Sequence, residues 1–538
     1  MNAQEIRIAA SSLRLHLAML KLFRYRVTST AGVAEELRDR LAHREENFLT
    51  SVERLVFANP RSPYRALLEV AGYDWPMLRQ LVLTRGLDAA LDQLRVDSVY
   101  VRVGEFKGLE PAVRRGRTFR FQERDFANPH ISGVLRAQSG GTRTRRTQSD
   151  ISAEEFLEWV KFRLWLLEGY GLRERDVVIW ANLPEGLRYL LQETSTGRRA
   201  ICFTLLRPPG LGYVLLVLAA RVLSGRPVPF LRSARAAQAV ELARYISKTN
   251  TPRGTLVSTF DSSAVRLVIA AEEAGIDMGD VVFWIGGEPL TPLKHQQFAR
   301  HGHRVVSMFA FSEFGVAAWS CPRGEEADDL HVLTDRVALR QYTRPVGQNG
   351  TTVSSYLFTS LLPYTRHVMI NVESGDYGKL AKRRCGCFLD EAGFSLHMHT
   401  ILSFEKLTAE GMTFIGPGLI TLLEEDLPRE FGGDSRHYQL VEGEDGHGLT
   451  RLFLLVSPQV GPVDEDALRE RVLGAIADRH LLSRRGRTIG RIWRGADTIY
   501  ILRREPLATE SGKVLHLHTA RGALLADAAI PPDSQQQR

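Results

Sequence analysis

Nine residues, Ser139-Gly140-Gly141-Thr142-Arg143-Thr144-Arg145-Arg146-Thr147, join flexible backbone, hydroxyls and cations in one short stretch. Exposed N–H groups and hydroxyls donate to phosphate oxygens while guanidinium groups supply charge, so this is the chemistry of a loop that wraps a polyphosphate. It lacks the Gly-Lys-Ser/Thr ending of a Walker loop. A second set is Cys321, His331, Cys385 and Cys387, whose three thiolates and one imidazole make a closed tetrahedral set suited to structural zinc. Buried free cysteines are the alternative there, and Cys202, which fits no ligand pattern, reads as core. A third feature is Gly286-Gly287-Glu288-Pro289, directly after the apolar run Val281 to Ile285. Glycines let backbone approach a flat ligand closely, and the carboxyl ends of strands are where open α/β sheets bind ligands.

These residues need a scaffold of more than one core. The chain has 538 residues, and single cores stop growing at roughly 250–300. From Asp150 onward, extended apolar runs (Val177 to Trp180, Pro227 to Phe230, Thr255 to Thr259, Val281 to Ile285) alternate with helical patterns (Tyr213 to Val222, and from Ser262), which predicts a parallel sheet covered by helices. The fold class is α/β: a large N-terminal α/β domain plus a small mobile α+β C-terminal domain. Residues 1–110 read as a helical cap of the large domain, 111–402 as its main body, 403–525 as the small domain and 526–538 as a disordered tail. The small domain is expected to hold strands Leu452 to Val456 and Ile499 to Leu502 and helices Leu419 to Glu425 and Glu465 to Arg479.

Composition narrows the class. Hydrophobic residues make up 44% and the formal charge is +8, with a pI near 9.3. The basic residues are scattered and no nucleic-acid-binding signature accompanies them, so a nucleic-acid partner is not expected. Four cysteines in so long a chain do not make a secreted disulfide framework. The first 26 residues read as an amphipathic helix rather than a signal peptide, and no apolar run is long enough to span a bilayer. A cytoplasmic location follows as the expectation.

Taken in order, the motifs resemble those of the adenylate-forming ligase superfamily of acyl- and aryl-CoA ligases, luciferases and peptide-synthetase adenylation domains, in its phenylacetate-CoA ligase-like branch. The loop at 139–147 is similar to the family's Ser-Ser-Gly-Thr-Thr-Gly-Lys-Pro-Thr phosphate loop, with Gly140, Arg143, Thr144, Arg145 and Arg146 as departures. Gly286, Gly287, Glu288 and Pro289 resemble the segment against adenine and ribose. Phe309-Ala310-Phe311-Ser312-Glu313 resembles Tyr-Gly-x-Ser/Thr-Glu, which implies base stacking by the aromatic segment and Mg²⁺ on Glu313. Gly375-Asp376 looks like the Gly-Asp motif whose carboxylate accepts both ribose hydroxyls. The stretch at 401–411 resembles the interdomain hinge and puts Glu405 at the hinge acid, with Leu402 where the family has Arg. Pro506 to Lys513 resembles the terminal loop whose lysine, here Lys513, stabilises charge as the substrate carboxylate attacks phosphorus. Some members of the branch carry a similar Cys/His arrangement.

The resemblance implies ATP, Mg²⁺, structural Zn²⁺ and CoA as cofactors or co-substrates, and a small carboxylic acid activated as acyl-AMP. CoA is the first choice of acceptor; an amine or a carrier-protein thiol is the alternative, as is a non-catalytic binding member of the fold. Phe260 and Trp284 are candidates for an aromatic or apolar acid pocket, and core packing explains them equally well. A homodimer is left open.

Overall fold

Parallel strands buried on both faces must be apolar along their whole length, and that is how the centre of this chain is written. The structure, a computed structural model, describes residues 22, 25–131, 135–138, 148–182, 185–205, 217–219, 221–222, 225, 231–288, 290–345, 352–403, 407–409, 412–414, 422–444, 450–478, 498–507 and 517–519. Asp176–Ala181 (β1), Ala200–Thr204 (β2), Arg232–Ser233 (β3), Thr255–Thr259 (β4), Val281–Gly286 (β5) and Arg304–Phe311 (β6) pair in parallel in the order β3-β2-β1-β4-β5-β6. The period-2 alternation sends Ile179, Leu256, Val282 and Trp284 to a core shared with helices Ala153–Gly169 and Glu185–Ser195. Trp180, Val257, Phe283 and Ile285 face the opposite way, toward Ala239–Thr249 and Asp261–Glu273. Strand order reverses between β1 and β4, the switch point beside which such sheets open a crevice.

Beyond β6 the same sheet continues antiparallel. Gly315–Ser320 (β7), Leu330–Val332 (β8), Val337–Pro345 (β9), Thr352–Ser360 (β10), Val372–Lys382 (β11) and Leu396–Ser403 (β12) complete twelve strands in the order β9-β10-β11-β12-β8-β7-β6 and onward. Helices between Arg44 and Phe106 pack on this half: Phe48, Tyr64, Leu68 and Leu91 share one core with Ala318, Leu339, Tyr356 and Phe358. A bridge from Val101 to Val372 ties the helical segment to β11.

A separate four-stranded sheet lies near the carboxyl terminus. Tyr438–Glu444 (β13), Thr450–Val456 (β14), Ile499–Leu502 (β15) and Leu517–Thr519 (β16) run in the order β15-β14-β13-β16, and helix Glu465–Asp478 covers them through Leu468, Val472 and Leu473. The expected helix at Leu419 to Glu425 differs: the described chain has a π-helical turn at Leu422–Asp426 and then a short helix at Leu427–Phe431, with Pro428 in its first turn, where a missing N–H costs nothing. The expected strand at Pro227 to Phe230 and the first 21 residues lie outside the described residues.

Candidate functional site

The carboxyl edge of the parallel strands gathers most of the candidate residues that are described. At the end of β5, Gly286 sits opposite Met308 of β6, and a Cβ built there would lie 2.7 Å from Met308 Cγ. Gly287 has φ +103°, backbone that an L side chain resists. Glu288 then turns inward: Ser262 Oγ donates to it, Lys294 Nζ lies 3.2 Å away, and Thr450 Oγ1 of the small sheet donates across 2.9 Å. Pro289 lies outside the described residues.

Two polar residues that the motifs did not single out stand at the switch point. The register Trp180 opposite Thr259 puts Asn182 and Asp261 each two residues further on, past the ends of β1 and β4. Both are buried, and among the described residues no hydrogen bond of good geometry reaches either side chain. Burial pushes the Asp261 carboxyl up to about 8; Lys294 pulls it down, Glu288 pushes it up, and the nearby backbone N–H groups of Asp261 and Glu288 lower it.

Phe309, Ala310 and Phe311 close β6, with a register shift between Phe309 and Ala310. Phe309 stacks on Phe358 of β10 at 5.8 Å between centroids and Phe311 meets the same ring edge-on at 4.9 Å. In this structure the two aromatics therefore pack on Phe358, and a base would need another ring face. Ser312 and Glu313 follow in the turn to β7. Ser312 O accepts from Arg366 Nη1 at 3.3 Å, and Arg366 Nε donates to Glu155 at 2.7 Å. Glu313 is paired with Lys107, whose Nζ also lies 3.3 Å from Glu123 Oε2. Burial alone would raise the Glu313 carboxyl, but the Lys107 ammonium and its hydrogen bond outweigh that and hold it at about 2. His367 Nδ1 lies 2.9 Å from Glu313 O, and burial keeps its imidazole down at about 4. Lys107, Glu123 and His367 carried no motif, and no local spacing could have found partners so distant in sequence.

Asp376 is buried on β11 opposite Ser403 of β12, and its N–H donates to Ser374 Oγ at 3.2 Å. Leu402 pairs with Tyr377 in the same ladder. Ser139, Gly140, Gly141, Thr142, Arg143, Thr144 and Arg145, the expected hinge acid Glu405, and Lys513 all lie outside the described residues.

The sulfur cluster sits on the other part of the sheet. One ligand atom each from Cys321, His331, Cys385 and Cys387 falls within 4.8 Å of all the others. Cys321 Sγ and Cys385 Sγ are 3.6 Å apart, and His331 Nε2 is 3.5 Å from Cys385 Sγ and 3.1 Å from Cys387 Sγ. His331 Nδ1 faces Phe394 O at 2.6 Å, which fixes Nε2 as the free lone pair facing the thiols. Three sulfurs and one imidazole at these separations fit a tetrahedral soft-metal site. Cys202 is buried core, as expected.

A solved structure of 2-hydroxyisobutyryl-CoA ligase, in complex with 2-HIB-AMP and CoA in the thioesterification state, aligns over 93% of this chain and 92% of its own, with TM-score 0.53 and 16% identity. The chain has the fold of the adenylate-forming ligases. Other solved members align less fully: an o-succinylbenzoate CoA synthetase from Bacillus subtilis over 72% of this chain and 68% of its own (TM-score 0.37, 13% identity), and an anthranilate CoA ligase bound to anthranoyl-AMP over 70% and 65% (TM-score 0.34, 11% identity). No family model and no curated protein matches the sequence. Among the described residues of this adenylate-forming ligase fold, no helix is long and apolar enough to cross a membrane.

Proposed function

We propose that this chain is an AMP-forming acid ligase: ATP and a carboxylic acid give an acyl- or aryl-adenylate with release of pyrophosphate, and a nucleophile, first the CoA thiol, then takes the acyl group. The observation that carries the reading is the edge formed by β5 and β6, where Gly286-Gly287 opens the backbone and the next strand ends in a turn bearing an ionised, enclosed Glu313. The phenylacetate-CoA ligase-like branch belongs to this reading, as do the domain division at 402–403 and the small domain's rotation between steps.

Within it, the segment Gly286 to Pro289 takes the base and ribose, Phe309 to Phe311 line the base, and Asp376 accepts the ribose hydroxyls. Residues 139–147 hold the outer phosphates and Lys513 the developing charge. Glu313 and Glu123 form a carboxylate pair already gathered around one cation, a donor set that fits a hard metal ion. Magnesium held there would offset the phosphate charge. Zinc in the Cys321, His331, Cys385 and Cys387 set would pin β7, β8 and the segment after β11 together.

Pyrophosphate release from ATP with Mg²⁺, across a panel of aryl and fatty acids with and without CoA, tests the reading. Release with one acid class supports it and names the acid; a thioester formed only with CoA identifies the acceptor. Nucleotide binding without release for any acid would point to a non-catalytic member of the fold, and an amide formed from an added amine would make the chain an amide synthetase.

A further inference from the structure

Lys107 is the C-cap of the short helix Val103–Phe106, and the helix is anchored on every side. Phe106 stacks on Phe126 at 4.5 Å and meets His367 edge-on at 5.7 Å. Glu105, fully buried, accepts from the backbone of Arg102 and from both terminal nitrogens of Arg114, at 3.0 Å and 2.6 Å. The ammonium is thus delivered to a fixed place between two carboxylates from different segments, against Glu313 Oε1 and 3.3 Å from Glu123 Oε2. The side chains of Lys107, Glu123 and Glu313 keep 13%, 13% and 14% exposure, enough for a small ion to arrive from solvent. Among the described residues, the two carboxylates and the one ammonium that pairs with both sum to one negative charge, whereas the same pair without the lysine would match a divalent ion. A divalent ion binding Glu313 therefore meets the ammonium at contact distance, and one of the two must move.

We infer that Lys107 is a positioning residue that serves as the exchangeable counter-ion of Glu313. It holds the carboxylate ionised and aimed, and yields it to the divalent cation that arrives with a nucleoside triphosphate. The released ammonium is then beside the phosphates that this cation carries. The N-terminal helical segment in this way makes metal loading depend on nucleotide. The inference rests on Glu313 as the metal ligand of the proposed ligase.

Mn²⁺ binding to the full chain without nucleotide, read by electron paramagnetic resonance, tests it apart from activity. Lys107→Met should bind Mn²⁺ about tenfold more tightly than wild type, because a repelling charge at contact distance has gone. Lys107→Arg, which keeps the cation, should restore the weak wild-type affinity, and Lys107→Gln repeats the neutral case should the Met variant fail to fold. Adding Glu313→Gln to the neutral variant should abolish the gain. Unchanged Mn²⁺ affinity in folded Lys107→Met or Lys107→Gln overturns the inference, as does a gain that survives Glu313→Gln. The expected Mn²⁺ pattern together with no pyrophosphate release for any acid would instead sink the ligase reading and leave the counter-ion in place.

Discussion

Asp261 shows what a single enclosed carboxyl costs. Its folded pKa, raised to about 8 chiefly by burial, lies well above the ordinary carboxylate value, so between roughly pH 4 and 8 the folded chain holds a proton that the unfolded chain has lost. Its contribution to stability is therefore complete below that window and is lost as pH rises through it. Asp261→Asn, which cannot ionise, should melt higher than wild type at pH 8.5 by about 2 °C or more, with the gap shrinking at pH 5. Thermal melts of both proteins at the two pH values check this; a gap independent of pH would mean the carboxyl is not held neutral. The sulfur cluster offers a second single-residue prediction. Replacing Cys387 by Ser should reduce bound zinc to well below one ion per chain and lower the melting temperature, both read on protein purified without chelator; a wild-type protein free of zinc would defeat the site. The cysteines were legible because metal sites are recognised by residue type. Asp261, Asn182 and Lys107 were not, because their significance lies in what surrounds them.

Elements differ in how much they disclose. β1, β4 and β5 could be read from sequence because strands buried on both faces are unbroken apolar runs, and because turn residues punctuate them. The antiparallel half was silent. Its strands mix polar and apolar residues, and pairings such as His331 with His397 join segments far apart in the chain, so nothing local specifies them. The pairing of β11 with β12 also slips between Tyr377 and Lys379, an irregularity next to Asp376 that no residue pattern announced. Gly378 marks that slip. A Cβ there would sit 2.3 Å from Tyr356 Oη, 2.8 Å from His399 O and 3.0 Å from Thr400 O, two of them backbone atoms that cannot swing aside. Gly378→Ala should accordingly destabilise the chain by about 1–3 kcal/mol. If Asp376 accepts the ribose, the variant should also raise the KM for ATP more than it lowers kcat. A variant as stable as wild type would show that the ladder has slack the structure does not display.

At the scale of the whole molecule, the order of the motifs disclosed the fold, and the contacts between distant parts disclosed something the order did not. The helical segment reads as a cap, yet it also brings Lys107 to Glu313, where Glu123 of the turn Glu123–Phe126 joins the pair. The small sheet meets the large one where Thr450 donates to Glu288, a residue of the glycine-turn motif. A small domain that rotates between half-reactions would break that hydrogen bond in one of its two orientations, and Lys513 would then serve only the orientation in which adenylation occurs. Lys513→Ala should abolish acid-dependent pyrophosphate release, a loss of about a hundredfold or more for a group proposed to meet developing charge. The same variant should transfer the acyl group from a supplied acyl-adenylate to CoA at close to the wild-type rate. Measuring both half-reactions on one preparation separates the roles, since a misfolded variant loses both together. Equal loss in a variant that melts like wild type would mean that one arrangement of the two sheets performs both steps. Thr450→Val offers the complementary comparison, because it removes a contact that, on the proposed rotation, only one orientation can make. It should change the ratio of the two half-reaction rates while leaving the melting temperature of the large sheet unchanged, and an unaltered ratio would count against rotation.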